Sequence, residues 1–141
     1  MISYFDTSAI VPLVVAEPSS VRCARVWQEC DVRVSSMLAV AEAHAALAQA
    51  HRVARLTDAQ HTAAVGLLAQ RFDELDLVVP TREIVDRAAE LAVSLALRGY
   101  DAVHAATALA VSGPEFAAVT GDRALADAWV ALGVDVIDVN M

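Results

Sequence analysis

Short apolar runs alternate with helix-period segments from one end of the chain to the other. That alternation limits the fold more than any other feature. Ile2 to Phe5 reads as a strand, and residues 7–15 as a short helix broken near Glu17 and Pro18. A helix from Ser19 or Ser20 to Glu29 follows, and Val32 and Val34 then alternate with polar residues as in a short strand. Ser35 or Ser36 is placed to cap a long alanine-rich helix reaching about Arg55. Thr57 and Gln60 form a capping-box pattern for a helix to about Glu74. Leu75 to Val79 reads as a strand, and Thr81 to Arg98 as a helix with Gly99 at its C′ position. Another helix opens near Asp101, Phe116 to Val119 is a strand, Asp122 opens a helix ending at Gly133, and Val134 to Ile137 is the last strand. The order predicts an α/β fold with a mainly parallel central sheet flanked by helices. No linker, repeat or low-complexity segment breaks the pattern, so one domain over residues 1–141 is expected.

In such sheets ligands bind beyond the carboxyl ends of the strands. Asp6 stands at the end of the first strand in "YFDTSAIVPL", and Asp122 follows another in "VTGDRAL". Asp101 opens a helix in "RGYDAVHAATAL". Glu42 lies inside a helix with Leu38, Ala39, Ala45 and Ala46 as its neighbours one turn away, and an acid among apolar residues needs a partner. The plainest account is that Asp6, Asp101 and Asp122 are N-caps, worth about 1 kcal/mol each, with Glu42 solvated. Capping leaves an acid inside an apolar helix unexplained. A cluster explains all four. Carboxylates gathered at one sheet edge repel one another and raise their pKa values, and a divalent cation relieves this. Oxygen ligands without cysteine or histidine suit Mg²⁺ or Mn²⁺, which serve phosphodiester hydrolysis.

Composition trims the alternatives. The chain is 57% hydrophobic with a mean hydropathy of +0.50, yet its apolar runs are shorter than the roughly 20 residues a spanning helix needs. The amino-terminal stretch lacks a basic region and is interrupted by Asp6 and Pro12, so no signal peptide is expected there. All ten basic residues are arginine, so mechanisms that need a lysine are excluded. Cys23 and Cys30 lie seven residues apart on one predicted helix, about 10 Å along its axis, too far to bridge. No zinc spacing occurs, and a reduced, cytoplasmic chain is expected. The net charge of −8 argues against a nucleic-acid binder taken alone.

Together, "YFDTSAIVPL", the helical acid, "RGYDAVHAATAL" and "VTGDRAL" resemble the PIN-domain ribonucleases, and among them the VapC-type toxins of toxin–antitoxin pairs. The likeness runs from residue 1 to about 138. It implies a PIN-like domain whose catalytic acids are Asp6, Glu42, Asp101 and Asp122, with Asp6, Asp101 and Asp122 holding metal. It implies supporting hydroxyls at Thr7, Ser8 and Thr120. The implied activity is RNA cleavage with Mg²⁺ or Mn²⁺, leaving a 5′-phosphate and a 3′-hydroxyl. The implied partners are RNA, a VapB-type antitoxin and a second copy of the chain.

Arg98 and Arg123 adjoin the acids in sequence and are candidates for holding RNA phosphates; the plain reading of each is a solvated helix-end arginine. His104 shares a helix face with Asp101 and is a candidate for orienting a carboxylate, against an ordinary semi-buried histidine. His44, His51 and His61 read as surface positions, and Trp27 and Trp129 as core or interface residues. Receiver domains and haloacid-dehalogenase phosphatases also keep acids at a sheet edge but rely on a lysine. The remaining rival is a catalytically inactive acidic α/β interaction module that binds a basic partner.

Overall fold

The computed structural model describes all 141 residues. Five strands form one sheet: β1 (Ile2–Phe5), β2 (Val32–Ser36), β3 (Asp76–Val78), β4 (Phe116–Thr120) and β5 (Val136–Asp138). The helices are α1 (Thr7–Ile10), which runs into a 3₁₀ turn over Val11–Leu13, α2 (Ser20–Glu29), α3 (Leu38–Arg52), α4 (Asp58–Asp73), α5 (Arg82–Ser94), α6 (Gly99–Val111) and α7 (Arg123–Ala131). All strand pairs are parallel, in the order β3-β2-β1-β4-β5. The predicted α/β class is the one observed.

The order fixes where a site can form. The chain builds outward from β1 through β2 to β3, then returns to β4 beside β1 and continues outward to β5. Connections therefore diverge between β1 and β4, opening a crevice at their carboxyl ends. Asp6 and Gly121 directly follow those two strands.

Side chains on β1 alternate between two cores, as a strand's period of two requires. Phe5 joins Ile10, Trp27, Leu47 and Leu68 on the face covered by α1 to α4. Tyr4 joins Leu91, Phe116, Leu125 and Trp129 on the face covered by α5 to α7. Both tryptophans are core residues, and Cys23 and Cys30 are buried and free. His44 is exposed, and His51 and His61 stack at 4.7 Å near the surface where α3 meets α4.

Several boundaries differ from the sequence reading. Ser35 and Ser36 belong to β2. Ser35 Oγ is drawn to the Phe5 carbonyl at 2.6 Å, while Ser36 Oγ accepts from Leu38 N–H at 3.2 Å. α3 stops at Arg52 because Ala54 turns left-handed (φ 60°) and Arg55 N–H folds back to the Ala50 carbonyl at 2.8 Å. α5 stops at Ser94, where Ala96 (φ 53°) supplies the left-handed residue expected of Gly99 and Leu97 N–H returns to the Ala92 carbonyl. Gly99 instead begins α6, with Arg98 at its N-cap, so Asp101 sits in the first turn and caps nothing. The Thr57–Gln60 capping box forms as read.

Candidate active site

Asp6 occupies the N-cap position of α1, yet its carboxylate makes no capping bond. It turns instead to Ser8, whose hydroxyl lies 2.8 and 3.0 Å from its two oxygens. Ser8 Oγ also accepts from Gly121 N–H at 2.7 Å and lies 3.2 Å from Thr120 Oγ1. Thr120 Oγ1 accepts from Asp122 N–H at 2.9 Å. Since Ser8 gives its one proton to Asp6, Thr120 gives its own to Ser8. A directed chain runs Asp122 N–H, Thr120, Ser8, Asp6, and it ties the end of β1 to the end of β4. Polarised bonds of this kind strengthen one another. A side chain at Gly121 would crowd this junction, with Val139 Cγ2 only 3.3 Å from the position of a β-carbon.

Asp6 is 4% exposed. Burial pushes its pKa up to about 6, although His104, Ser8 and Thr120 all favour the ionised form.

Glu42 approaches from α3. It accepts from Thr7 Oγ1 at 3.0 Å and from His104 Nε2 at 2.6 Å. A carboxylate only accepts, so Nε2 carries a proton, and in the neutral ring Nδ1 accepts from the Tyr4 hydroxyl at 2.7 Å. His104 is 1% exposed. Burial alone would lower its pKa, but the carboxylates of Glu42, Asp6 and Asp101 outweigh it and raise the value. Burial opposes ionisation of Glu42 too, and the bonds from His104 and Thr7 overcome it and lower its pKa.

Asp101 and Asp122 share one counter-ion. Arg98 Nε donates to Asp101 Oδ2 at 3.2 Å, and its Nη2 stands 3.9 Å from Asp122 Oδ2. Asp122 Oδ1 also caps α7 by accepting from Leu125 N–H at 3.0 Å. Capping therefore accounts for Asp122 but for neither Asp6 nor Asp101.

Asp6, Glu42, Asp101 and Asp122 line one cavity of about 380 Å³, together with Thr7, Ser8 and Arg98. His104 and Thr120 stand behind its wall, each holding a lining residue. Arg123 is exposed and lies off the cavity, because it follows the Asp122 cap and projects from the outer face of α7. Sequence reasoning missed Tyr4, the partner of His104, and Glu17, Ser19 and Asn140, which complete the lining. Tyr4 was in principle findable, since it lies two positions before Asp6 and so on the same side of β1.

The donor set fits a hard divalent cation, because every lining acid offers oxygen alone. As the side chains stand, no three acid, histidine or cysteine groups are disposed to hold a metal ion. In this arrangement Arg98 stands between Asp101 and Asp122 and engages both. Its side chain is 84% exposed, so the clamp can open at little cost.

The family profile described as PIN domain matches residues 3–129. A curated Mycobacterium tuberculosis protein, "Ribonuclease VapC45", is 39% identical over 122 residues, covering 86% of this chain and 85% of its own. The M. tuberculosis VapC20 structure, titled a "Sarcin-Ricin loop cleaving toxin", superposes with a TM-score of 0.71 at 19% identity, covering 89% of this chain and 94% of that one. A chain of a toxin–antitoxin complex from Klebsiella pneumoniae superposes at 0.66 with 15% identity, covering 97% of each. These two structures share the fold.

Proposed function

The chain belongs to the PIN-domain family, in its VapC branch, and from that premise we propose that it is a metal-dependent endoribonuclease and the toxin of a toxin–antitoxin pair. One observation carries the reading. Asp6 is a buried carboxylate with a pKa pushed up to about 6 that caps nothing and opens onto a cavity shared with Glu17, Glu42, Asp101 and Asp122. Asp6, Asp101 and Asp122 are the residues that would hold Mg²⁺ or Mn²⁺. When bound, the cation supplies activation of water and neutralises charge developing on the phosphodiester.

This chain's own residues do the rest. Ser8, Thr120 and Gly121 fix Asp6. Thr7 and His104 hold Glu42 ionised at the cavity wall, where it can accept a proton from a water poised at the phosphate. Arg98 exchanges its carboxylates for phosphate oxygens, which frees Asp101 and Asp122. Water attack in line breaks the bond from phosphorus to the 3′ oxygen and leaves a 5′-phosphate, while the departing 3′ oxygen takes a proton from solvent to become the 3′-hydroxyl. The direct test is RNA cleavage by the purified chain, expected with Mg²⁺ or Mn²⁺ and absent in EDTA.

The partner reading follows from charge and apolar surface. A cavity rich in carboxylates attracts an arginine- or lysine-bearing segment through charge-assisted bonds. Beside the cavity, and sharing Val11, Glu17 and Ala46 with it, lies a groove of about 610 Å³ walled mainly by apolar residues of α3, α4 and the segment over residues 11–16. We assign it to a VapB-type antitoxin that seats apolar side chains there and a basic one among the acids. A homodimer, a single domain over residues 1–141 and a cytoplasmic location belong to the same reading. No helix is long and apolar enough to cross a membrane. The inactive-module rival needs the acids spent as caps, and that description suits Asp122 alone.

A further inference from the structure

Two grooves leave the acid-lined cavity, and they differ in chemistry. One is the apolar groove assigned above to the antitoxin. The other holds about 320 Å³ and joins the cavity through Ser19 and Asn140. Its wall carries Arg22 and Arg25, both exposed, three residues apart on α2 and so on one helix face. No Asp or Glu side chain lines this groove. Neither arginine is ion-paired with a carboxylate side chain. Arg22 Nη1 already reaches an oxygen there, that of Met141.

The other arginines are committed or misplaced. Arg71, Arg82 and Arg87 are paired with Glu74, Asp86 and Glu90. Arg33 is bound to the Trp27 carbonyl and lies over its ring. Arg98 works inside the cavity itself, Arg55 lines the apolar groove, Arg52 donates to Gln49 Oε1 at 2.8 Å, and Arg123 lies on α7 off both the cavity and this groove. A chain of net charge −8 needs a local cationic track to bind a polyanion, and this groove is where guanidinium groups with no carboxylate side-chain partner meet the cavity.

We propose that the groove over Ser19 and Asn140 is the RNA track, with Arg22 and Arg25 binding backbone phosphates of the single strand on one side of the scissile bond. The inference rests on the ribonuclease reading. It replaces Arg123 as a phosphate contact. It also separates the two ligands: an antitoxin closes the cavity from the apolar side, whereas RNA enters from the basic side.

The test measures binding of a labelled single-stranded RNA oligonucleotide across a salt series. An Asp6→Asn background with Mg²⁺ keeps the RNA intact. Arg22→Ala with Arg25→Ala should weaken binding about tenfold and flatten the slope of log affinity against log salt by about 1.4, roughly 0.7 for each phosphate no longer neutralised. Arg22→Lys with Arg25→Lys should keep the slope, and so should Arg82→Ala with Arg87→Ala. In the cleaving enzyme the alanine pair should raise KM and leave kcat within about twofold. Parental affinity and slope in the alanine pair, with the parent still cleaving RNA, would overturn the track and spare the ribonuclease reading. Equal losses in the alanine pair and in Arg82→Ala with Arg87→Ala would overturn it as well. A parent that neither binds nor cleaves RNA would sink both.

Discussion

His104 Nε2 lies 2.6 Å from Glu42 Oε1 while its Nδ1 lies 2.7 Å from the Tyr4 hydroxyl, so one buried imidazole joins the core to the cavity wall. Glu42 is half-buried on a helix with small neighbours, and without His104 only the Thr7 hydroxyl at 3.0 Å would hold it. His104→Ala should cost about 3 kcal/mol, because it orphans a buried hydroxyl and a partly buried carboxylate. It should also lower kcat more than it raises KM. His104→Gln, whose amide can donate to Glu42, should recover part of kcat. Thermal melts and steady-state cleavage check this, and a His104→Ala protein with full kcat would remove the positioning role. The stabilisation also has a pH signature. A histidine whose pKa is raised in the fold adds stability that is complete below its unfolded value of about 6.5 and fades as pH rises through the folded value.

Asp6 has the opposite effect on the metal-free fold. Its folded pKa of about 6 exceeds the unfolded 3.8, so the folded state holds the proton more tightly. Stability therefore falls as pH rises from about 4 to 6, and the penalty is complete above that window. Two pH units correspond to at most about 3 kcal/mol. Asp6→Asn should raise the melting temperature at pH 7 in EDTA and remove this part of the pH dependence. An unchanged or lower melting temperature at pH 7 would contradict the account.

Metal binding should compete with that same proton. Mn²⁺ needs the ionised carboxylate, so its affinity should drop as pH falls below about 6. Calorimetry at pH 5 and pH 7.5 measures the difference, which should shrink in Asp6→Asn, where that proton is gone.

Legibility in the sequence followed the range of the interactions. The strand-then-acid pattern at Asp6, the Thr57–Gln60 box and the Asp122 cap are local, and each forms as read. The ends of α3 and α5 differ from the sequence expectation because alanines, at Ala54 and Ala96, take the left-handed conformation that favours glycine. Ser35 was misplaced because its hydroxyl partner, the Phe5 carbonyl, is 30 positions away. The Tyr4–His104–Glu42 chain has the same origin, with separations of 100 and 62 positions. Periodicity put His104 on the face of Asp101, but only the fold shows what lies opposite.

The antitoxin reading makes a competition prediction. The product of a neighbouring gene that binds this chain should do so without added metal, protect RNA, and lose affinity as Mn²⁺ rises, since both ligands draw on the same carboxylates. Pull-down from co-expressing cells with a Mn²⁺ titration reads all three. Binding that leaves cleavage intact would contradict the assignment of the cavity to the inhibitor.

The most direct measurement is cleavage of RNA by the purified chain, its Asp6→Asn variant and its Asp101→Asn variant, each with Mn²⁺ and with EDTA, followed by analysis of the product ends. Metal-dependent products with 5′-phosphates are expected from the parent alone, with both variants folded and inactive. Cleavage that persists in EDTA, or a fully active Asp6→Asn protein, would contradict it.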